Sequence, residues 1–274
     1  MSVLLGVAHG SRDARSQEGV RALLARCTGL RPGLVTADGY VDNAPPSVRR
    51  ALAELAEGGA PEVVVLPLLL TPASHSKTDL AASVQQARLA HPGMRVRYGR
   101  PLGPHPALVE VLDRRLAEAG GRPGDAVLLV AGGALDPDAN AQVAATARLL
   151  WEGRGWASVD VAFASTTGPT VGEALDRLRR LGHERVAVAR YFLGPGRLPR
   201  LVEQAARASG LEVVVTEPLG VSDAMAALVL ERYDEARRGD LRMNCDVCLY
   251  RVPLPTHEDA VGRVQEPHTH PEDR

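Results

Sequence analysis

The chain has 274 residues, 45% of them hydrophobic, 24% charged and only 3% aromatic. That is enough for two domains of ordinary size, each with a core built mostly from Ala, Val and Leu. The formal net charge of −1 carries no basic excess to hold a nucleic-acid backbone, so nucleic-acid binding is not expected. No apolar run approaches the length of a membrane span, and no basic n-region or cleavage site precedes the first strand pattern, so no membrane insertion or secretory signal is expected. Three cysteines do not make a disulfide framework, and a reducing cytoplasm is the expected compartment.

Val3 to Ala8 is an aliphatic run that ends in the polar loop His9-Gly10-Ser11-Arg12. Runs apolar on both faces read as strands of a parallel, helix-covered sheet. A helix is expected near Ser16, burying Val20, Leu23, Leu24 and Cys27. A second strand, about Leu34 to Val41, ends at Asp42. Pro45-Pro46 then suits the first turn of a helix carrying Val48, Ala51, Leu52 and Leu55, which Gly58-Gly59 ends. A third strand, Val63 to Leu69, leads through Thr71-Pro72-Ala73-Ser74 to His75. A helix from about Thr78, a short strand Val96 to Tyr98, and a helix after His105-Pro106 complete four βα units.

Gly120-Gly121-Arg122-Pro123-Gly124-Asp125 is the linker candidate. Beyond it the pattern starts again: Val7-Ala8-His9-Gly10 recurs 123 residues later as Val130-Ala131-Gly132-Gly133, and Pro46-Ser47-Val48 as Pro169-Thr170-Val171. Pro101-Leu102-Gly103 recurs at Pro218-Leu219-Gly220 with an offset of 117, so the second copy is slightly shorter near its end. A whole domain is duplicated, which divides the chain into residues 1–121, 125–240 and a tail, 241–274.

The duplication is an internal control. His9 aligns with Gly132, Asp42 with Ser165 and His75 with Leu198, while the apolar and glycine positions persist. The scaffold therefore does not require those three side chains, and the active groups belong to the first copy. Ligands of open parallel sheets bind beyond the carboxyl ends of the strands. Neutral imidazoles there can bind a transition metal or act as a base. Arg190, Arg197 and Arg200 of the second copy offer either an anion-binding wall or a solvated helix start. Ala131-Gly132-Gly133 lacks the full spacing of a dinucleotide-binding loop.

The strand-H-G-S-R motif, the P-L-L-L-T-P-A-S-H stretch ending at His75, the tandem duplication and the tail Met243-Asn244-Cys245-Asp246-Val247-Cys248 together resemble the long form of the sirohydrochlorin chelatases, class II tetrapyrrole chelatases. The resemblance implies an α/β fold of two tandem flavodoxin-like, chelatase-like domains with mostly parallel sheets, the second a degenerate copy forming the other wall of a cleft. It implies insertion of a divalent metal, Fe²⁺ towards siroheme or Co²⁺ towards a cobalamin precursor, into a carboxylated tetrapyrrole without ATP. His9 and His75 are then metal ligands and bases, with Asp42 in support of metal or proton handling. Asp42 also reads as a turn residue before Asn43. Gly10, Ser11, Arg12, Lys77 and Arg197 are the candidate contacts for substrate carboxylates, and Arg12 and Lys77 equally read as exposed surface charges. Ala73 stands where relatives often carry glycine. The alternative function is a non-catalytic metal or tetrapyrrole carrier.

In the tail, Cys245 and Cys248 supply two thiolates, whereas a closed zinc site or a [4Fe–4S] cluster generally needs four ligands. The remainder could come from His257, His268, His270, exogenous thiols or a second subunit, so an iron–sulfur cluster, a metal-delivery site and a pair of idle thiols all stay open. A monomer is the expected state, with dimerisation through the tail as the alternative.

Overall fold

The computed structural model describes residues 2–73, 75–240, 253 and 258–263, and of His75 it describes the backbone. The four βα units of the first copy are β1 (Ser2–Ala8), α1 (Ala14–Leu30), β2 (Val35–Tyr40), α2 (Val48–Glu57), β3 (Glu62–Pro67), α3 (Leu80–Ala90), β4 (Arg95–Tyr98) and α4 (Pro106–Glu118). The second copy follows as β5 (Ala126–Ala131), α5 (Pro137–Trp151), β6 (Ser158–Phe163), α6 (Val171–Arg180), β7 (Arg185–Arg190), α7 (Arg197–Ala208), β8 (Glu212–Val215) and α8 (Asp223–Arg238). A short 3₁₀ turn at Glu258–Ala260 is the last described element.

Each copy forms a four-stranded, wholly parallel sheet, in the orders β2-β1-β3-β4 and β6-β5-β7-β8. The central strands are buried along both faces, as parallel strands between helices must be. In the first sheet Val3, Leu5 and Val7 of β1 and Val63 and Val65 of β3 pack with Val48, Ala51 and Leu52 of α2 and with Leu80 and Val84 of α3. In the second, Ala126, Leu128, Val130, Val186 and Val188 pack with Val171, Ala174 and Leu175 of α6, the same positions 123 residues on. Each fully buried Val or Leu among these contributes about 1.5–3 kcal/mol, so keeping these apolar positions in both copies keeps the fold.

Several local details differ from expectation. Ser47, not Pro45-Pro46, starts α2: its hydroxyl caps the helix by accepting from Arg50 N at 3.1 Å, and the prolines lie before the cap. Helix α3 does not begin at Thr78. A single π-helical turn, His75–Asp79, precedes it. The matching helix of the second copy, α7, starts at Arg197 as ordinary α-helix.

The compact units of the structure are also cut differently from the sequence repeat. One unit comprises residues 1–102, Asp136–Asp138 and 221–274, and the other comprises residues 103–135 and 139–220. Helix α8, at the end of the second copy, thus belongs to the first unit, where it packs against α1 and β3. Arg31 and Asp234 form a two-pronged ion pair at 2.7 Å, Tyr233 donates to the Ser2 carbonyl at 3.0 Å, and Cys27 lies against the Ala226 carbonyl. Helix α4, at the end of the first copy, belongs to the second unit, where it packs against β7 and Arg115 donates to Leu219 O at 3.1 Å.

Candidate active site

The three candidate residues follow three neighbouring strands. Asp42 follows β2, His9 follows β1 and His75 follows β3, and these are adjacent strands of one sheet. From β1 the chain goes to β2 on one side and then to β3 on the other, so the crevice between the loops after β1 and β3 is the topological switch point of the sheet. That is where ligands of open α/β sheets bind. His9 begins the loop after β1, and His75 begins the helical turn that ends the loop after β3. The strands keep their register to the edge, with Leu68 N donating to Val7 O at 2.7 Å.

The loop after β1 is fixed by its glycine. Gly10 has φ +94°, and a Cβ there would lie 1.6 Å from the Asp42 carbonyl oxygen. The loops after β1 and β2 can therefore approach only if position 10 has no side chain. Asp42 N then donates to His9 O at 2.9 Å, which joins Asp42 and His9 through their backbones. The His9 side chain is exposed. The Asp42 carboxylate accepts from Asn43 N and Asn43 Nδ2, both at 2.8 Å, and Asn43 has φ 58°. Asp42 is thus the turn residue that its sequence context suggested. The second copy repeats the backbone without the chemistry: Gly133 has φ +86°, its Cβ would lie 2.2 Å from Ser165 O, and Thr166 has φ 69°.

Ser11 accepts from Asp13 N at 3.1 Å and Arg12 is exposed, so both stand at the entry to α1, whose N-cap is Asp13. Among the described residues no backbone acceptor takes the Gly10 or Ser11 N–H. Arg197 and Arg200 are exposed in the first turn of α7, in the other unit.

Lys77 is a correction. Its ammonium is not offered to solvent or substrate: the side chain is 7% exposed and lies 2.8 Å from both Asp136 Oδ2 and Asp138 Oδ2, whose side chains are 0% and 2% exposed. The contact with Asp138 is a hydrogen bond, and that with Asp136 is an ion pair outside hydrogen-bond angles. Burial alone would lower the Lys77 pKa, but the two carboxylates outweigh it and hold the pKa above its ordinary 10.5. A lysine reads as a surface charge in sequence because its buried partners are about 60 residues away. Arg190 is likewise committed, buried between Glu203 and Glu217 with its Nε on the Thr216 carbonyl, and does not belong to an anion-binding wall.

Sequence reasoning missed Tyr98. Its hydroxyl donates to Ser76 O within the π-helical turn. The signal was available, because Tyr98 pairs with Val65 in β4 just as Val215 pairs with Val188 in β8. The second copy lacks this hydroxyl together with the histidine. The tail cysteines Cys245 and Cys248, and His257, His268 and His270, lie outside the described residues.

Two copies of a four-stranded parallel unit, with histidines in the segments after β1 and β3 of the first and not at the matching positions of the second, define a tandem α/β protein. A model of the CbiX family matches residues 3–119 and again residues 126–236, and the chain belongs to that family. It is 30% identical to a sirohydrochlorin cobaltochelatase of Priestia megaterium over 270 residues, 94% of this chain and 88% of that one. It is 26% identical over 235 residues to a sirohydrochlorin ferrochelatase of the same organism, covering 84% of this chain and 88% of the relative. In fold it is similar to SirB from Bacillus subtilis with Fe³⁺, with a TM-score of 0.76 at 24% identity over 87% of this chain and 97% of SirB. No helix among the described residues is long and apolar enough to cross a membrane.

Proposed function

We propose that the chain is a sirohydrochlorin chelatase, a lyase-class enzyme that places Fe²⁺ or Co²⁺ in a carboxylated tetrapyrrole without ATP. The observation that supports this reading is that His9 and His75 lie in the segments that follow the adjacent strands β1 and β3, in the copy that keeps them and not in the copy that has Gly132 and Leu198. The metal is a substrate and must leave the protein, so a few imidazole ligands suit it better than a closed four-ligand cage. One divalent ion enters as two pyrrole N–H protons depart, and neutral imidazoles at the same edge are the groups to receive them. Asp42, joined to the His9 loop through its backbone, supports metal or proton handling. The Gly10 and Ser11 N–H groups, the Ser11 hydroxyl and Arg12 receive substrate carboxylates at the start of α1, and Arg197 is a further candidate cation. The first copy carries the reaction and the second is degenerate. The C-x-x-C of Cys245 and Cys248 holds an iron–sulfur cluster or an incoming metal, completed by ligands from elsewhere.

The test is an anaerobic absorbance assay with sirohydrochlorin and Fe²⁺ or Co²⁺ in turn, comparing the full chain with His9→Ala/His75→Ala. The expected result is catalytic loss of the free-base bands with at least one metal, reduced on the order of 100-fold or more in the variant, the scale on which general acid–base groups act. Stoichiometric metal uptake without turnover would replace the enzyme by a carrier. Full activity in the double variant would remove both histidines from the chemistry.

A further inference from the structure

The turn His75–Asp79 differs from its surroundings in a way that needs support. A π-helical turn shifts the hydrogen-bond register by one residue, is rare, and persists only where the structure around it holds it. Ala73 O accepts Ser76 N, Lys77 N and the buried Ser76 hydroxyl, each at 3.0 Å. Tyr98, at the end of the neighbouring strand β4, donates its hydroxyl to Ser76 O. Lys77 is drawn into the interior by Asp136 and Asp138, which belong to the same compact unit, and Asp138 N in turn donates to Asp136 Oδ1 at 3.1 Å. Two anchors therefore hold the residues immediately after His75, one at the Ser76 carbonyl and one at the Lys77 ammonium.

The second copy shows what the fold needs without them. Where the first copy has His75, a π-helical turn and Tyr98, the second has Leu198, a regular start to α7 and Val215. Lys77 corresponds to Arg200, which is exposed. The sheet and its helix form equally well. The anchors accompany the histidine and not the architecture.

We propose that Tyr98 and the buried Lys77–Asp136–Asp138 cluster are positioning residues for the metal step, holding the π-helical turn so that the backbone at His75 is kept in one place. The proposal rests on the reading of His75 as a metal ligand. Ion exchange between protein and tetrapyrrole requires a ligand fixed well enough to hold the metal at the right point but too sparse a ligand set to trap it. Supports one bond removed from a metal ligand typically affect metal affinity or turnover by about 10- to 100-fold.

The experiment uses the full chain with two variants, beside His75→Ala as the control. Tyr98→Phe removes one oxygen and leaves the ring in place. Lys77→Met/Asp136→Asn/Asp138→Asn removes the whole charge cluster, so that no lone charge is left buried. Co²⁺ titrations followed by visible d–d absorption, without tetrapyrrole, report the ligand geometry. Steady-state assays separate kcat from the KM for sirohydrochlorin, and thermal unfolding reports the fold. The expected result is cooperative unfolding in both variants, Co²⁺ binding weakened about ten-fold with an altered d–d spectrum, and kcat lowered about ten-fold with KM for the tetrapyrrole within two-fold. Parent-like Co²⁺ spectra, affinity and kcat in Tyr98→Phe, beside a crippled His75→Ala, would overturn the positioning role alone. A parent-like His75→Ala would show that the reading of the site is wrong, and the proposal would fall with it. If the triple variant does not fold, Tyr98→Phe decides the matter.

Discussion

At the scale of single residues, the site is shaped more by what is missing than by what is present. Gly10 lets the loops after β1 and β2 touch, because any side chain there would strike the Asp42 carbonyl at 1.6 Å with φ at +94°. Gly10→Ala is expected to destabilise the protein by several kcal/mol, on the order of the largest point effects, or to push the Asp42 turn away from His9. Either outcome should reduce metal insertion by more than about ten-fold, since small misplacements of reacting groups are costly. Gly133→Ala meets the same clash, at 2.2 Å from Ser165 O, but in the copy without histidines. It should lower the thermal midpoint similarly while leaving Co²⁺ binding unchanged. Thermal melts and Co²⁺ titrations of the two variants, side by side, check this. Equal loss of Co²⁺ binding in both would mean that the first copy does not hold the metal alone.

At the scale of elements, α8 is held to the first unit by charges that its sequence gave little reason to bury. Arg232 is 1% exposed and donates to Pro101 O, Leu102 O and Glu235, while Glu235 also accepts two bonds from Arg100, at 2.9 and 2.7 Å. The hydrogen bonds from Arg100, opposed by desolvation and reinforced by the charges of Arg232 and Arg100, hold the Glu235 carboxyl below its ordinary 4.5. A carboxyl whose pKa is depressed by folding contributes stability that is full above the unfolded value and is lost as pH falls through the folded one. The urea midpoint should therefore be flat above about pH 5.5 and fall as the solution is acidified through and below 4.5. Glu235→Gln should cost about 2–3 kcal/mol near neutrality, the scale of hydrogen bonds to charged groups, and should flatten part of the acid-side decline. A variant with an unchanged acid-side slope would show that Glu235 does not contribute to it.

At the scale of the whole molecule, the sequence repeat and the units of folding do not coincide. Helix α8 ends the second copy but packs on α1 and β3 of the first sheet, and α4 ends the first copy but belongs to the second unit. A fragment of residues 1–121 would therefore carry a helix for which it has no sheet and would lack the helix that covers its own. It is expected to be insoluble or to unfold without cooperativity. Residues 1–102 joined by a flexible linker to residues 221–240 should unfold cooperatively in urea. Cooperative unfolding of the 1–121 fragment would mean that α8 is dispensable to the first sheet.

The sequence by itself determined the strands, most helices, the duplication and the three candidate residues, because each is written in local terms. Apolar runs, 3.6-residue periodicity, glycine pairs and histidines after strands need no partner to be read. The buried face of α1 (Val20, Leu23, Leu24 and Cys27) came out as expected, and comparing the copies singled out His9, Asp42 and His75 before any geometry was known. The fate of Lys77 and Arg190, the π-helical turn, the bond from Tyr98 to Ser76 and the exchange of α4 and α8 were decided by tertiary structure. In each case the deciding partner is distant in the chain. A lysine is exposed or buried according to carboxylates about 60 residues away. An amphipathic helix that is not followed by another strand of its own sheet is free of the handedness rule for crossovers, so its pattern says that it buries a face and not which sheet receives it.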